Sequence, residues 1–187
     1  QLTIAALRGN AGAGGAFLAL AADRIYARAG VVLNPHYKNM GNLYGSEYWT
    51  YLLPKRVGDH GREIMENRLP LGAAAAKHLG LIDDCFGNDA DDFATQIEAI
   101  AATLAGDVSY EELLRQKRRR RARDEADKPL AQYRAEELER MKLNFYGFDP
   151  SYHVARYNFV FRVPNSWTPL HLARHRSISP RKPASAA

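Results

Sequence analysis

The amino-acid sequence predicts an α/β fold, because short apolar runs alternate with segments of helical periodicity. The run LTIAAL, Leu2–Leu7, is apolar, is closed by Gly9, and has the length of a buried strand. A stretch rich in alanine and glycine follows at 9–22. At 90–106 the apolar residues recur at intervals of three, four and seven, which is typical of an amphipathic helix packed on a sheet.

The remaining elements follow in order along the chain. Ala16–Ala22 predicts a buried helix that ends near Asp23, and 24–35 predicts one or two short strands stopped by Pro35. A polar and aromatic loop then leads into a helix around Ser46, whose hydroxyl is a candidate N-cap. Two further helical segments and a short strand are predicted at 61–67, 71–81 and 82–86.

Composition excludes several classes of protein. The 187 residues carry a net charge of +5 and are 46% hydrophobic, which is typical of one globular domain. The chain opens inside a strand without the features of a signal peptide, and no apolar run reaches the roughly 20 residues of a membrane span. The single Cys85 rules out an internal disulfide and a multi-cysteine metal site, and it suits a reducing cytoplasm. No metal site is expected.

The character of the sequence changes after residue 105. We predict a domain at 1–105, a helical, basic and aromatic carboxy-terminal extension at 106–176, and a disordered tail at 177–187. The run Arg118–Arg121 is compatible with nucleic-acid binding or with a solvated helix whose arginines pair with the acidic residues that follow. We favour the helix and expect no nucleic acid as a partner, although the run also suits steering of phosphate groups.

The glycine-rich turn RGNAGAGG leaves two interpretations open. Its spacing does not fit the G-x-G-x-x-G dinucleotide fingerprint, and it lacks the Gly-Lys-Ser/Thr of a phosphate-binding P-loop. One interpretation is an oxyanion hole, in which a glycine amide at the start of a helix donates to a carbonyl oxygen that becomes negative. The other is close packing of a strand and a helix through small residues.

Two blocks of sequence resemble the crotonase (enoyl-CoA hydratase/isomerase) superfamily. These are IAALRGNAGAGGAFLALAADRIYA and LPKRVGDHGREIMENRLPLGAAAAKHLGLIDDCF. The resemblance implies the second half of a crotonase-like ββα spiral, followed by the helical extension. It also implies that the Gly14 amide is one of two donors to an acyl-CoA thioester oxygen. The second donor belongs to an earlier strand and loop that this sequence lacks, which argues against independent activity.

The sequence departs from hydratases at both proton-transferring glutamates of that superfamily. Phe17 stands at the first position and His36, in NPH, at the second. Addition of water to a double bond is therefore not expected. The alternatives are another hydratase- or isomerase-like acyl-CoA enzyme, or a basic module that binds without catalysis.

The stretch NPHYKNMGNLYGSEYWTYLLPKRVG closely resembles the carboxy-terminal, crotonase-like part of the HypX (HoxX) family of hydrogenase maturation factors. In that family an amino-terminal formyltransferase-like part moves a formyl group from formyl-tetrahydrofolate to coenzyme A. The crotonase-like part then acts as a lyase that converts formyl-CoA to carbon monoxide and CoA. The CO becomes a ligand of the iron in [NiFe]-hydrogenase. The resemblance thus implies CoA as cofactor, with the amino-terminal part and the maturation machinery as partners, and no membrane.

Candidate site residues follow from these resemblances and from the residue types. Gly14 is the expected oxyanion donor. Tyr37 and Tyr44 are the leading candidates for relaying a proton to the leaving sulfur, followed by His36 and Glu47, although Glu47 also suits the first turn of a helix. The expected contacts to the acyl-CoA substrate are Ala13, Phe17, Lys55, Arg56, Arg156 and Arg162.

Overall fold

The structure, a computed structural model, describes residues 1–67 and 69–163. The predicted tail at 177–187 and the last part of the extension, from 164, lie outside the described residues. The strands are β1 (Ile4–Leu7), β2 (Ala11–Gly12), β3 (Arg24–Arg28), β4 (Val32–Asn34), β5 (Leu71–Gly72) and β6 (Asp84–Phe86). The helices are α1 (Gly14–Leu20), α2 (Trp49–Val57), α3 (His60–Asn67), α4 (Ala73–His78), α5 (Ala90–Gly106), α6 (Tyr110–Asp127), α7 (Leu130–Tyr146) and α8 (Ser151–Val160).

The first four strands alternate between two small sheets. One sheet has the order β1-β3-β6 and is parallel, with Ile4 opposite Arg24 and Tyr26 opposite Asp84. In the second sheet, of order β2-β4-β5, β2 is parallel and β5 antiparallel to β4. Two strands in two sheets followed by a helix make one turn of a ββα spiral, which confirms the predicted α/β fold class.

The core lies around helix α1 and strands β3 and β4. Phe17, Ile25, Leu33, Leu53 and Leu81 are each at most 1% exposed. Burying a side chain of this size stabilises the fold by about 1.5–3 kcal/mol. Because α1 and β4 share this core, the glycine turn that begins α1 and the loop that follows β4 are brought together.

Three local predictions need correction. Helix α1 begins at Gly14 and ends at Leu20, two residues earlier than expected at each end. Strands β2 and β5 were missed, because two residues are too few to show a period. Helix α2 begins at Trp49, not around Ser46.

Up to residue 163, the extension consists of helices α6, α7 and α8, with the break at Pro129 as predicted. Arg118, Arg119, Arg120 and Arg121 are exposed, and none of them forms an ion pair with another described residue. The expected pairing with the acidic residues that follow is therefore wrong. Those carboxylates bond elsewhere: Asp124 pairs with Lys55 and Glu136 with Lys128.

Candidate active site

The backbone of the glycine turn has an unusual conformation at Ala13, directly before helix α1. Ala13 has a φ of 48° and donates its amide hydrogen to the carbonyl of Asn34 at 2.8 Å. A side chain in such a conformation costs about 1–3 kcal/mol, and strain of this kind is often found at functional sites. Ala13 also accepts the first helical hydrogen bonds, from Ala16 and Phe17. The amide of Gly14, the first residue of the helix, has no partner within the helix and is free to donate elsewhere.

The Tyr37 hydroxyl is the group that meets this amide. Tyr37 follows β4, is 8% exposed, and its ring stacks on Phe17 at a centroid distance of 6.1 Å. A Cβ placed on Gly14 would lie 3.1 Å from the phenol oxygen. The Gly14 amide donates a hydrogen bond to that oxygen. The predicted oxyanion donor therefore faces a phenol of its own chain.

Glu47 completes a cluster of three groups. Its carboxylate oxygen lies 3.7 Å from the same Gly14 Cβ position and accepts a hydrogen bond from the Tyr37 hydroxyl. The other oxygen, Oε2, accepts from the amide of Ser46 at 2.9 Å. Burial raises the pKa of Tyr37 well above its ordinary value, the hydrogen bond and charge of Glu47 raise it further, and the Gly14 amide acts in the opposite direction. Tyr37 is thus a protonated hydrogen-bond donor at neutral pH.

The start of helix α2 is capped from a distant helix. Ser46 is not the N-cap: that position is Tyr48, in the left-handed region at φ 58°, and its own side chain makes no capping bond. The carboxylate of Glu137 on α7 accepts instead from the Tyr48 amide at 2.8 Å and from the Thr50 amide at 2.9 Å. The Thr50 hydroxyl adds a third bond at 2.6 Å. Ser46 lies two residues before this N-cap position, and its amide donates to Glu47.

Sequence reasoning missed Glu137, although one signal was present. Along α7 the positions Leu130, Tyr133, Met141 and Phe145 are half-buried and lie at helical spacing. Glu137 occupies the middle of this stripe and is 0% exposed. A carboxylate on the buried face of a helix requires strong hydrogen bonds, so its position within the apolar stripe was the available clue.

The contacts described for the two other relay candidates, Tyr44 and His36, are with other residues. Tyr44 packs against Trp49 at a centroid distance of 5.1 Å and, with Lys38, Leu53 and Met65, lines a cavity of about 520 Å³. Burial raises the pKa of Tyr44, and the charge of Glu137 adds to this effect. His36 is 2% exposed, and its Nδ1 accepts from the amide of Lys38 at 3.3 Å. Of the four candidates, the contacts bring Tyr37 and Glu47 to Gly14.

Gly14 lines none of the three cavities that we describe. The second cavity, about 620 Å³, lies between α6 and the strands and is lined by residues such as Lys117, Arg120 and Arg121. The third, about 290 Å³, lies beside Tyr51 and Lys128. Of the two residues at the hydratase glutamate positions, Phe17 is part of the core, at 1% exposed, and His36 carries no carboxylate.

The predicted CoA-binding cations divide into two kinds. Lys55 pairs with Asp124, and Arg56 bonds to Asp83 and to the carbonyl of Leu81 at 3.2 Å. These two side chains therefore hold α2 against its neighbours. Arg156 on α8 and Arg162 just after it are exposed and form no ion pair with any other residue that the structure describes. Both are available for a phosphate.

Residues 1–67 and 69–163 contain neither a candidate metal site nor a candidate membrane span. No three histidine, cysteine, aspartate or glutamate side chains lie close enough together to bind a metal ion. None of the helices in this part of the chain combines the length and the hydropathy needed to span a membrane.

Comparison with known proteins shows the family to which this sequence is similar. Residues 1–144 match the enoyl-CoA hydratase/isomerase family. The whole chain is 54% identical to the hydrogenase maturation factor HoxX of Bradyrhizobium diazoefficiens, of which it covers 33%. The chain therefore spans about a third of the length of that curated relative.

Solved structures agree at two levels of similarity. HypX from Aquifex aeolicus in complex with tetrahydrofolic acid is 50% identical, with a TM-score of 0.86 over 97% of this chain and 32% of that one. An enoyl-CoA hydratase/isomerase from Pseudoalteromonas atlantica is 19% identical, with a TM-score of 0.72 over 87% of this chain and 62% of that one. The second likeness shows the crotonase-like fold alone, and the first agrees with the resemblance to HypX found in the sequence.

Proposed function

The chain belongs to the enoyl-CoA hydratase/isomerase family, and we propose that it is the part of a hydrogenase maturation factor that splits formyl-CoA into carbon monoxide and CoA. The observation that carries this proposal is the contact of Tyr37 and Glu47 with the backbone of Gly14. In this superfamily the matching glycine holds the thioester oxygen. The identity of 54% to HoxX supports the role in hydrogenase maturation.

The reaction needs acid–base chemistry and no oxidant. A base removes the formyl proton, and the electron pair of the C–H bond becomes the lone pair on the carbon of CO. The electron pair of the C–S bond leaves with sulfur as the CoA thiolate, which then takes up one proton. One hydrogen has moved from carbon to sulfur, and nothing has been oxidised or reduced. A site for this step must hold one proton acceptor and one proton donor at the same formyl group.

Tyr37 and Glu47 supply these two functions. Glu47, as a carboxylate, accepts the formyl proton, and the Tyr37 hydroxyl donates to the leaving sulfur. Two of the causes that raise the pKa of Tyr37, the hydrogen bond and the charge of Glu47, disappear once Glu47 is protonated. Tyr37 thus becomes a stronger acid when the thiolate needs a proton. The hydrogen bond between the two side chains then returns the proton from Glu47 to the phenol.

The Gly14 amide serves as the oxyanion donor after a local exchange of partners. In the structure the amide donates to the Tyr37 oxygen. We propose that the thioester oxygen displaces the phenol from this amide, which turns the Tyr37 hydroxyl towards the sulfur. This position lies next to Ala13 and is bordered by the stack of Tyr37 on Phe17.

The rest of the CoA molecule and the supply of formyl groups involve other parts of the protein. We assign the CoA phosphates to Arg156 and Arg162, the exposed cations on and after α8. Formyl transfer from formyl-tetrahydrofolate belongs to the amino-terminal part of the longer protein. The tetrahydrofolic acid bound to HypX supports a folate step there. We place the reaction in the cytoplasm, which suits the free Cys85.

A matched pair of variants tests the proposal. The full-length protein is supplied with formyl-CoA, and released CO is measured by its binding to haemoglobin. We expect Tyr37→Phe to lower kcat by about 10²- to 10⁴-fold, the usual share of a general acid–base group. The control Tyr44→Phe removes a phenol that lines a separate cavity and is expected to keep the normal rate. CO release at the normal rate by Tyr37→Phe, or none by the unmodified protein, would remove the proposal.

A further inference from the structure

Glu137 is a completely buried carboxylate whose bonds all go to one short segment. It is 0% exposed, and none of the ion pairs among the described residues includes it. Its Oε2 accepts from the Tyr48 amide, and its Oε1 accepts from the amide and the hydroxyl of Thr50. Burial of a carboxylate is unfavourable unless such bonds compensate for the lost water. The segment and the carboxylate are therefore mutually dependent.

The segment that Glu137 holds comes directly after Glu47. Tyr48 has φ 58° and ψ 27°, a left-handed conformation that is uncommon for an aromatic residue. This conformation reverses the chain between Glu47 and the first turn of α2, so the position of the Glu47 backbone depends on it. Because Tyr48 makes no side-chain capping bond of its own, the three bonds of Glu137 stabilise the reversal.

We propose that Glu137 is a positioning residue for proton transfer: by capping α2 it keeps the Glu47 carboxylate on the Tyr37 hydroxyl. This inference rests on the proposed function, since it concerns the same two groups. It assigns α7, from the carboxy-terminal extension, a direct part in the geometry of the site. The residue acts through Glu47 and does not itself touch the substrate.

A double-mutant cycle in the full-length protein distinguishes a positioning role of Glu137 from an effect on folding stability alone. Glu137→Gln keeps the size of the side chain but places an amide donor against the donors of Tyr48 and Thr50. Glu139→Gln is the matched control, an exposed carboxylate of α7 that pairs with Lys142. Both changes are made alone and together with Glu47→Gln, and kcat and KM for formyl-CoA are measured at a temperature where every variant is folded.

We expect Glu137→Gln to lower kcat by about 10- to 100-fold, because small displacements of a catalytic group have effects of this size, with KM within about twofold of its normal value. In the Glu47→Gln background the same change is expected to alter the residual rate by less than about twofold. The control Glu139→Gln is expected to keep both constants. An equal loss of kcat in both backgrounds, or a raised KM with kcat preserved, would overturn the inference.

A second readout does not need activity. The Ser46 amide donates to Glu47 at 2.9 Å, so its hydrogen exchange reports the position of that carboxylate. Exchange at Ser46 is expected to be faster in Glu137→Gln than in Glu139→Gln, and unchanged exchange would overturn the positioning role. If the unmodified protein releases no CO, the proposed function fails, and this readout still decides whether Glu137 fixes Glu47.

Thr50→Val serves if Glu137→Gln does not fold. It removes only the hydroxyl bond to Glu137 and retains the buried charge. The expected loss of kcat is about 3- to 10-fold, the share of one hydrogen bond, with KM unchanged. A normal kcat in a folded Thr50→Val protein, together with unchanged exchange at Ser46, would count against the inference.

Discussion

Gly45→Ala is expected to disturb the candidate site through the ring of Tyr37. Gly45 has a φ of +81°, and a Cβ there would lie 2.7 Å from two carbons of that ring and 3.1 Å from the Glu47 carboxylate. Real Cβ atoms do not approach ring carbons this closely, so the Tyr37 ring must move from its position beside Gly14 and Glu47. Tyr37 is held by its stack on Phe17, so the movement also disturbs the core.

The structure provides a control that separates the two costs of this change. Gly30 has nearly the same φ, +82°, but no atom lies within 4 Å of the added Cβ. Gly30→Ala therefore carries only the cost of a left-handed alanine, about 1–2 kcal/mol. Gly45→Ala adds about 1–3 kcal/mol of overpacking, for a total of about 2–5 kcal/mol.

The assays are denaturant unfolding for stability and CO release for function, both on the full-length protein. We expect Gly45→Ala to lose CO release by about 100-fold or more, since a displaced Tyr37 no longer meets the formyl group. Gly30→Ala is expected to release CO at the normal rate. Equal losses of stability in the two variants, with CO release preserved in Gly45→Ala, would refute the placement of Tyr37 at Gly14.

Three further changes test separate features. Burial acts to raise the pKa of Asp23, but hydrogen bonds from Lys117 and Thr3 hold this pKa below its ordinary value. The Asp23 carboxylate therefore stabilises the fold above about pH 4, and this stabilisation is lost as the pH falls through the lower pKa of the folded state. Asp23→Asn should thus be less stable at pH 7 and lose less stability on acidification, and an unchanged acid limb in denaturation curves would contradict this. Lys55→Ala should lower the melting temperature without changing KM, since Lys55 holds α6; a raised KM would make it the substrate contact that the sequence suggested. Arg162→Ala should raise KM for formyl-CoA by about tenfold with kcat unchanged, and an unchanged KM would exclude its phosphate role.

The predictions that held depend on local patterns. Hydrophobic patterning and proline determine the conformation of nearby residues only. They were enough to predict the strand at Leu2–Leu7, the helix at 90–106 and the break at Pro129. The glycine turn was found for the same reason. The family resemblance then supplied the ββα spiral, which the sheet order bears out.

The predictions that failed depend on contacts between distant residues. Ser46 has the right chemistry for an N-cap, but helix α2 begins three residues later and its cap comes from Glu137. The arginines at 118–121 have acidic neighbours in sequence, yet those acids bond to lysines. Hydrogen-bond partners across 90 residues leave no period in the sequence, so local reasoning cannot assign them.

The sequence by itself indicated where a backbone amide becomes available, because the first amides of a helix have no partner within it and the glycine-rich turn marks the start of α1 near Gly14. It also provided the two residues that we propose for acid–base chemistry, Tyr37 and Glu47, in a loop without periodicity. Only the tertiary structure decided that these residues meet at Gly14, while Tyr44 lines a separate cavity. The physical reason is that a loop takes its path from what packs around it: Phe17 beneath Tyr37, and Glu137 at the turn after Glu47.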